Sequence, residues 1–128
     1  MTMEINQLLT VESHEAGAEC NILSPVDRSQ TDVFIKIMGA DSKAWRNAKK
    51  KQTAEIISKR ASGDTNIDYD VMDIKAISSI TIGWSGITKD GKEWPCNDKN
   101  KKELFTNSPF IVEQLLDFLS KGENFIKG

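Results

Sequence analysis

Six apolar side chains crowd one short stretch near the end of the chain, and this crowding restricts the fold more than any other feature. Ser108 followed by Pro109 at a first helical position marks a helix start, and Lys121-Gly122 marks its end. At about 100° per residue, Phe118, Ile111, Leu115, Leu119, Val112 and Leu116 fill an arc of about 160°, wider than the ~100° stripe that one-sided packing needs. Either the helix is deeply covered in a small core, or one side serves the core and the other a guest. Ile111 and Phe118 lie at one margin, Val112 and Leu116 at the other, with Leu115 near the middle. The expectation is that Phe118 and Ile111 face the guest, with Trp84 and Phe125 nearby.

Covering such a helix takes one domain's worth of chain. The 128 residues, 38% of them hydrophobic, suffice for a single domain with its own core, with residues 1–30 the loosest part. The best strand is Thr31 to Met38, in which Phe34, Lys36 and Met38 alternate with Val33, Ile35 and Ile37 before Gly39 ends the run. Glu4 to Val11 reads as a further strand, Glu12 to Gly17 as a polar linker, and Glu19 to Ser24 as a weaker strand, so strands occupy about 4–38. Asp41 or Ser42 then caps a helix over 41–61, with Trp45, Ala48, Gln52 and Ile56 along one side. A second helix over 70–82 starts from Asp70 and Asp73. Its end is open, because Ile80-Thr81-Ile82-Gly83-Trp84 reads equally as a strand. Asp90-Gly91 is a turn, and Asn97 caps a short helix over 97–105 that precedes the one at 109–121. This order predicts an α+β fold: a small N-terminal antiparallel β-sheet followed by a mainly helical C-terminal part.

Little in the chain points to chemistry. Cys20 and Cys96 are far apart and belong to no metal or redox motif, so both read as free, half-buried thiols. The single histidine, His14, stands in the polar run Glu12 to Glu15 and reads as a solvated loop residue. Asp64 to Asp70 offers oxygens at alternate positions, as the first half of an EF-hand loop does. Tyr69 replaces the glycine such a loop needs, and Lys75 its last carboxylate, so a polar loop with a helix cap is the better reading. No phosphate-binding glycine loop or nucleophile motif appears; neither catalysis nor a cofactor is expected. Without a secretory start or a membrane-length apolar run, the chain is expected in the cytoplasm with no membrane partner.

Charge is nearly balanced at -2, but its distribution is uneven. Asp41 to Ser62 holds seven Lys and Arg against two acids, a net +5, which leaves -7 for the rest. This basic helix is the best argument for a nucleic-acid partner. Lys49, Lys50 and Lys51 spread around the helix with no aromatic residue between them, which favours a solvated or internally paired face and disfavours nucleic acid.

A series of short motifs in fixed order carries a resemblance: Thr31 to Ile37 with Gly39 and Asp41-Ser42, then Gly83-Trp84-Ser85-Gly86-Ile87, Asp90-Gly91-Lys92, Trp94-Pro95, Pro109-Phe110-Ile111 and Asn124-Phe125. Over Thr31 to Phe125 the chain resembles the tail assembly chaperones of long-tailed bacteriophages. It departs from them at Trp94, where a smaller apolar residue is usual, and at Cys96-Asn97, where Ser or Thr commonly caps. The resemblance implies a non-catalytic protein of virion morphogenesis in the host cell cytoplasm that binds the long helical tape measure protein. It would help recruit the tail tube protein and be absent from the mature virion; self-association is compatible with such a role. The residues fitted to that task are Trp84, Trp94, Ile111, Leu115, Phe118 and Phe125. The competing class is a small nucleic-acid-binding accessory protein acting through residues 41–62.

Overall fold

The computed structural model describes residues 1–126 and has the expected α+β architecture. Its centre is β2 (Gln30–Ile37), flanked by β1 (Ala18–Leu23) and β3 (Thr81–Ser85), both antiparallel to it. Cys20, Ile35 and Trp84 stand opposite one another across the three strands, and Glu19, Lys36 and Gly83 form the adjacent row. Residues directly opposed on a pleated sheet share a face. The first row therefore meets the helices and the second meets water, which is why Val33, Ile35 and Ile37 are covered while Asp32, Phe34 and Lys36 are exposed.

Of the four long helices, three start at a side-chain cap, while the last starts on Pro109 and its Ser108 makes no capping hydrogen bond. α3 (Lys43–Ala61) starts where the Ser42 hydroxyl accepts the Trp45 amide, and ends at Gly63, whose φ of 81° suits a residue without a side chain. α4 (Tyr69–Ile80) is capped by Asp68, which accepts the Val71 amide, rather than by the expected Asp70. α5 (Asp98–Asn107) is capped by Asn97 as the sequence predicts, and α6 is Pro109–Ser120. α4, α5 and α6 cover the inner face of the sheet. Ile35, Ile37, Ile77, Ile80 and Leu115 are wholly buried there, with Phe105 beside them. Gln114 ties α6 to the sheet: its amide oxygen accepts the Leu23 N–H at 2.8 Å and its amide nitrogen donates to the Leu23 carbonyl at 3.0 Å.

Three expectations need correction. Residues 4–11 are not a strand; they form one helical turn, α1 (Ile5–Leu8), with a Glu4/Gln7 capping box, and the start of α2 (Val11–Ala16). The spacing of Ile5, Leu8 and Leu9, three and four apart, is helical, and the box fixes it. The linker at 12–17 is largely α2, and its His14 is buried, not solvated: Nδ1 accepts the Asp41 amide at 3.0 Å, and the ring lies on Gly39 and 5.1 Å from the Phe125 ring. Burial is possible because both the backbone donor and the apolar cover come from distant segments. Finally, the helix expected over 70–82 stops at Ile80 and the chain enters β3. Thr81 donates its hydroxyl to the Ile77 carbonyl, while the Ile80 carbonyl accepts the Met38 amide at 2.9 Å. The free edge of β2 recruits the β-branched run, so the sheet draws its third strand from mid-chain.

Candidate docking site

The six residues expected to meet a partner fall into separate places. Leu115 is wholly buried at the centre of the core, and Ile111 and Phe125 are nearly so. Half-buried Phe118 packs edge-on against Phe125, ring centroids 5.4 Å apart, and this pair closes the end of the core near His14 and Gly39. Trp84 and Trp94 do come together. Their rings stack at 5.6 Å with 24° between planes, and Trp84 Nε1 donates to the Trp94 carbonyl at 2.6 Å.

The tryptophan pair depends on the hairpin between its members. β4 (Thr88–Lys89) and β5 (Lys92–Glu93) are joined through Asp90 and Gly91, both at positive φ, as a two-residue hairpin turn requires. The Trp94 amide then donates to the Ile87 carbonyl at 2.9 Å. Gly86 permits the approach of β3 to β2: at φ 80° a Cβ there would stand 2.0 Å from the Asp32 carbonyl oxygen. The hairpin signal was legible in Asp90-Gly91; the stacking across it was not.

Near this hairpin the molecule opens into a hollow of about 320 Å³ lined by Leu23, Val33, Ile87, Leu104, Phe110 and Ile111, with Pro25 and Gly86 at its rim. Among the described residues no charged side chain lines it. Leu23, Ile87, Leu104 and Phe110 are half-buried, so their apolar surface is shared between the core and the hollow. Ile87 and Phe110 belong to the sequence motifs, but nothing local marks them as neighbours, because their convergence depends on β3 joining the sheet.

The other margin of α6 is also open. Val112 and Leu116 face Ile74 of α4 across a groove of about 390 Å³, and Asp70, Asp73 and Glu113 are the charged groups along it. On the far side of α4, the seam with α3 is made by Ala48, Met72 and Ala76, with Gln52 Nε2 donating to the Met72 carbonyl at 2.9 Å. The outer side of α3 is exposed. Among the described residues its ion pairing is confined to Lys59 with Glu55, and Lys49 sits 5.4 Å from the Trp45 ring centroid.

Reactive groups are held quiet. Burial pushes the Cys20 thiol up to about 11, with the Asp117 charge adding to the effect, and burial also raises Cys96. A thiol so shifted carries almost no thiolate at neutral pH. In the Asp64 to Asp70 loop, Asp64 accepts the Asn66 amide and Asp68 the Val71 amide, so two of the carboxylates serve the backbone. Among the described residues no group of three His, Cys, Asp or Glu side chains converges as a metal site, and no helix is long and apolar enough to cross a membrane. Comparison with protein-family models, curated proteins and solved structures gave no match.

Proposed function

We propose that this chain is a non-catalytic assembly chaperone of the phage-tail kind, which holds an apolar stretch of a helical tape measure protein in the cytoplasm and leaves before the particle is complete. The observation that carries this reading is the apolar hollow between the sheet end, α5 and α6, lined by Ile87, Leu104 and Phe110 with no charged side chain among the described residues. An apolar hollow with an aromatic side chain, Phe110, in its lining provides the few dominant anchors on which protein interfaces depend. The guest's apolar side chains enter from one face of its helix. The tail tube protein is a candidate second partner on the same motif resemblance.

Ile87→Asp tests the site, because Ile87 is half-buried and lies outside the fully buried core. Co-expression with the tape measure protein of the same genome should give a complex that survives high salt in the wild type and is lost in Ile87→Asp, with the variant still folded by circular dichroism. Undiminished co-purification of a folded Ile87→Asp protein would remove the hollow from the account. The alternative, a nucleic-acid accessory protein using α3, draws on the exposed lysines of that helix; steep loss of DNA or RNA affinity with salt would favour it.

A further inference from the structure

The turn that joins β1 to β2, residues 24–29, begins on the rim of the hollow and is fixed more firmly than a surface connection requires. Pro25 sets its own φ, and the rest is held by hydrogen bonds within the turn. The Ser24 amide donates to the Ser29 carbonyl at 2.8 Å, and the Arg28 amide to the Ser24 carbonyl at 3.0 Å. The Val26 amide donates to the Ser24 hydroxyl at 3.2 Å, while the Asp27 carboxylate accepts the amide and the hydroxyl of Ser29 at 3.0 and 2.7 Å. Ser24 and Pro25 line the hollow, so Val26 stands one residue, about 3.8 Å along the chain, beyond its edge. Val26 is 91% exposed, an apolar side chain that nothing in its own fold covers. Arg28 has a φ of 64°, in the left-handed region where a side chain costs energy and glycine would rest without strain.

The charges around the rim decide what this tip can meet. Lys89, next to the lining residue Thr88, is 3.9 Å from Glu103 and 5.8 Å from the Trp94 ring centroid. Asp27 is engaged by Ser29, and Asp32 stands in the exposed row of β2, on the face opposite Val33. Arg28 is exposed, and among the described residues it has no ion-pair partner within 4.0 Å. The uncommitted charge beside an uncharged hollow is therefore a guanidinium, which calls for a carboxylate.

We propose that the β1–β2 turn extends the guest site and selects the guest, a step that rests on the reading of the hollow given above. Val26 packs on an apolar side chain of the guest helix, and Arg28 pairs with a guest Asp or Glu about one helical turn away. The two residues are at most about 7 Å apart along the chain, which matches the ~5.4 Å rise of one turn. A turn already locked loses little freedom on binding, so its contacts add to affinity with a small ordering cost.

Co-expression with the tape measure protein tests the proposal through variants that leave the hollow intact. Val26→Ser and Arg28→Glu should each weaken the complex about fivefold or more, with melting temperatures unchanged. Arg28→Gly should weaken it likewise while melting no lower than wild type, because glycine accepts the left-handed backbone. Carbodiimide treatment of the Arg28→Lys complex should join the amine at position 28 to a guest carboxylate by an amide bond, which mass spectrometry locates. Turn variants that hold the guest as wild type does, while Ile87→Asp loses it, would overturn the proposal and leave the hollow standing. A turn variant that loses binding only by melting lower, or a position-28 crosslink confined to this chain, would overturn it as well. Retention of the guest by a folded Ile87→Asp protein, or a wild type that does not bind it, would remove the hollow and the extended site together.

Discussion

α6 and α3 are helices of opposite construction. α6 has twelve residues and buries four side chains, Ile111, Val112, Leu115 and Leu119; α3 has nineteen and buries only Ala48. Length and capping make α3 a helix, but the free energy of the fold comes from apolar area removed from water, and α6 supplies far more of it. The lesson concerns where function can reside. A helix that carries the core offers a partner only its margins, while one attached by a narrow seam keeps most of its surface for other molecules.

The comparison is broken most directly at its heavier end. Leu115→Ala should cost about 2 to 5 kcal/mol in urea unfolding, the range for emptying a fully buried aliphatic site. A loss below about 1 kcal/mol would mean that α6 is not the keystone. Next comes the point where α3 is anchored. The wholly buried Ser42 hydroxyl donates to the Gly39 carbonyl at 2.7 Å and accepts the Trp45 amide at 3.2 Å, so Ser42→Ala should cost about 1 to 2 kcal/mol, as lost caps do.

A smaller effect tests the burial of β1 beneath α6 through pH. Cys20 ionises near 9.0 when unfolded and near 11 when folded, so the folded state keeps its proton longer. The stability this represents is intact below pH 9 and is lost as pH rises toward 11. Denaturation of wild type and Cys20→Ala at pH 7.5 and 10.5 should show the wild type losing more stability across that interval. The smallest effect belongs to the outer face of α3: Ile57→Ala should change stability by no more than about 0.5 kcal/mol, the usual range for an exposed site. A large loss there would show that α3 packs more broadly than its seam.

What the sequence disclosed and what it withheld divide by range. A cap at Asp41 or Ser42, Asn97 as a cap, Asp90-Gly91 as a turn and the apolar arc of α6 were all legible, because each depends on residues close together in the chain. The assignment of Thr81 to Ser85 was undecidable locally, because strand won only once the edge of β2 was available. His14 was misread for the same reason. Its polar neighbours suggested solvent, while its actual surroundings come from Gly39, Asp41 and Phe125. The clamp of Gln114 on Leu23 spans most of the chain and leaves no local trace. The candidate site shared this limit: Trp84 and Trp94 were legible as aromatic candidates, whereas the hollow, formed by segments far apart in the chain, was not.

The central claim is that a helical guest enters that hollow, and site-specific photo-crosslinking during co-expression with the tape measure protein tests it most directly. A photoreactive residue at Ile87 or Leu104 should capture the guest, and one at Asn47 on α3 should not. Capture from Asn47 alone, or from none of the three in cells where the guest is abundant and soluble, would contradict the account.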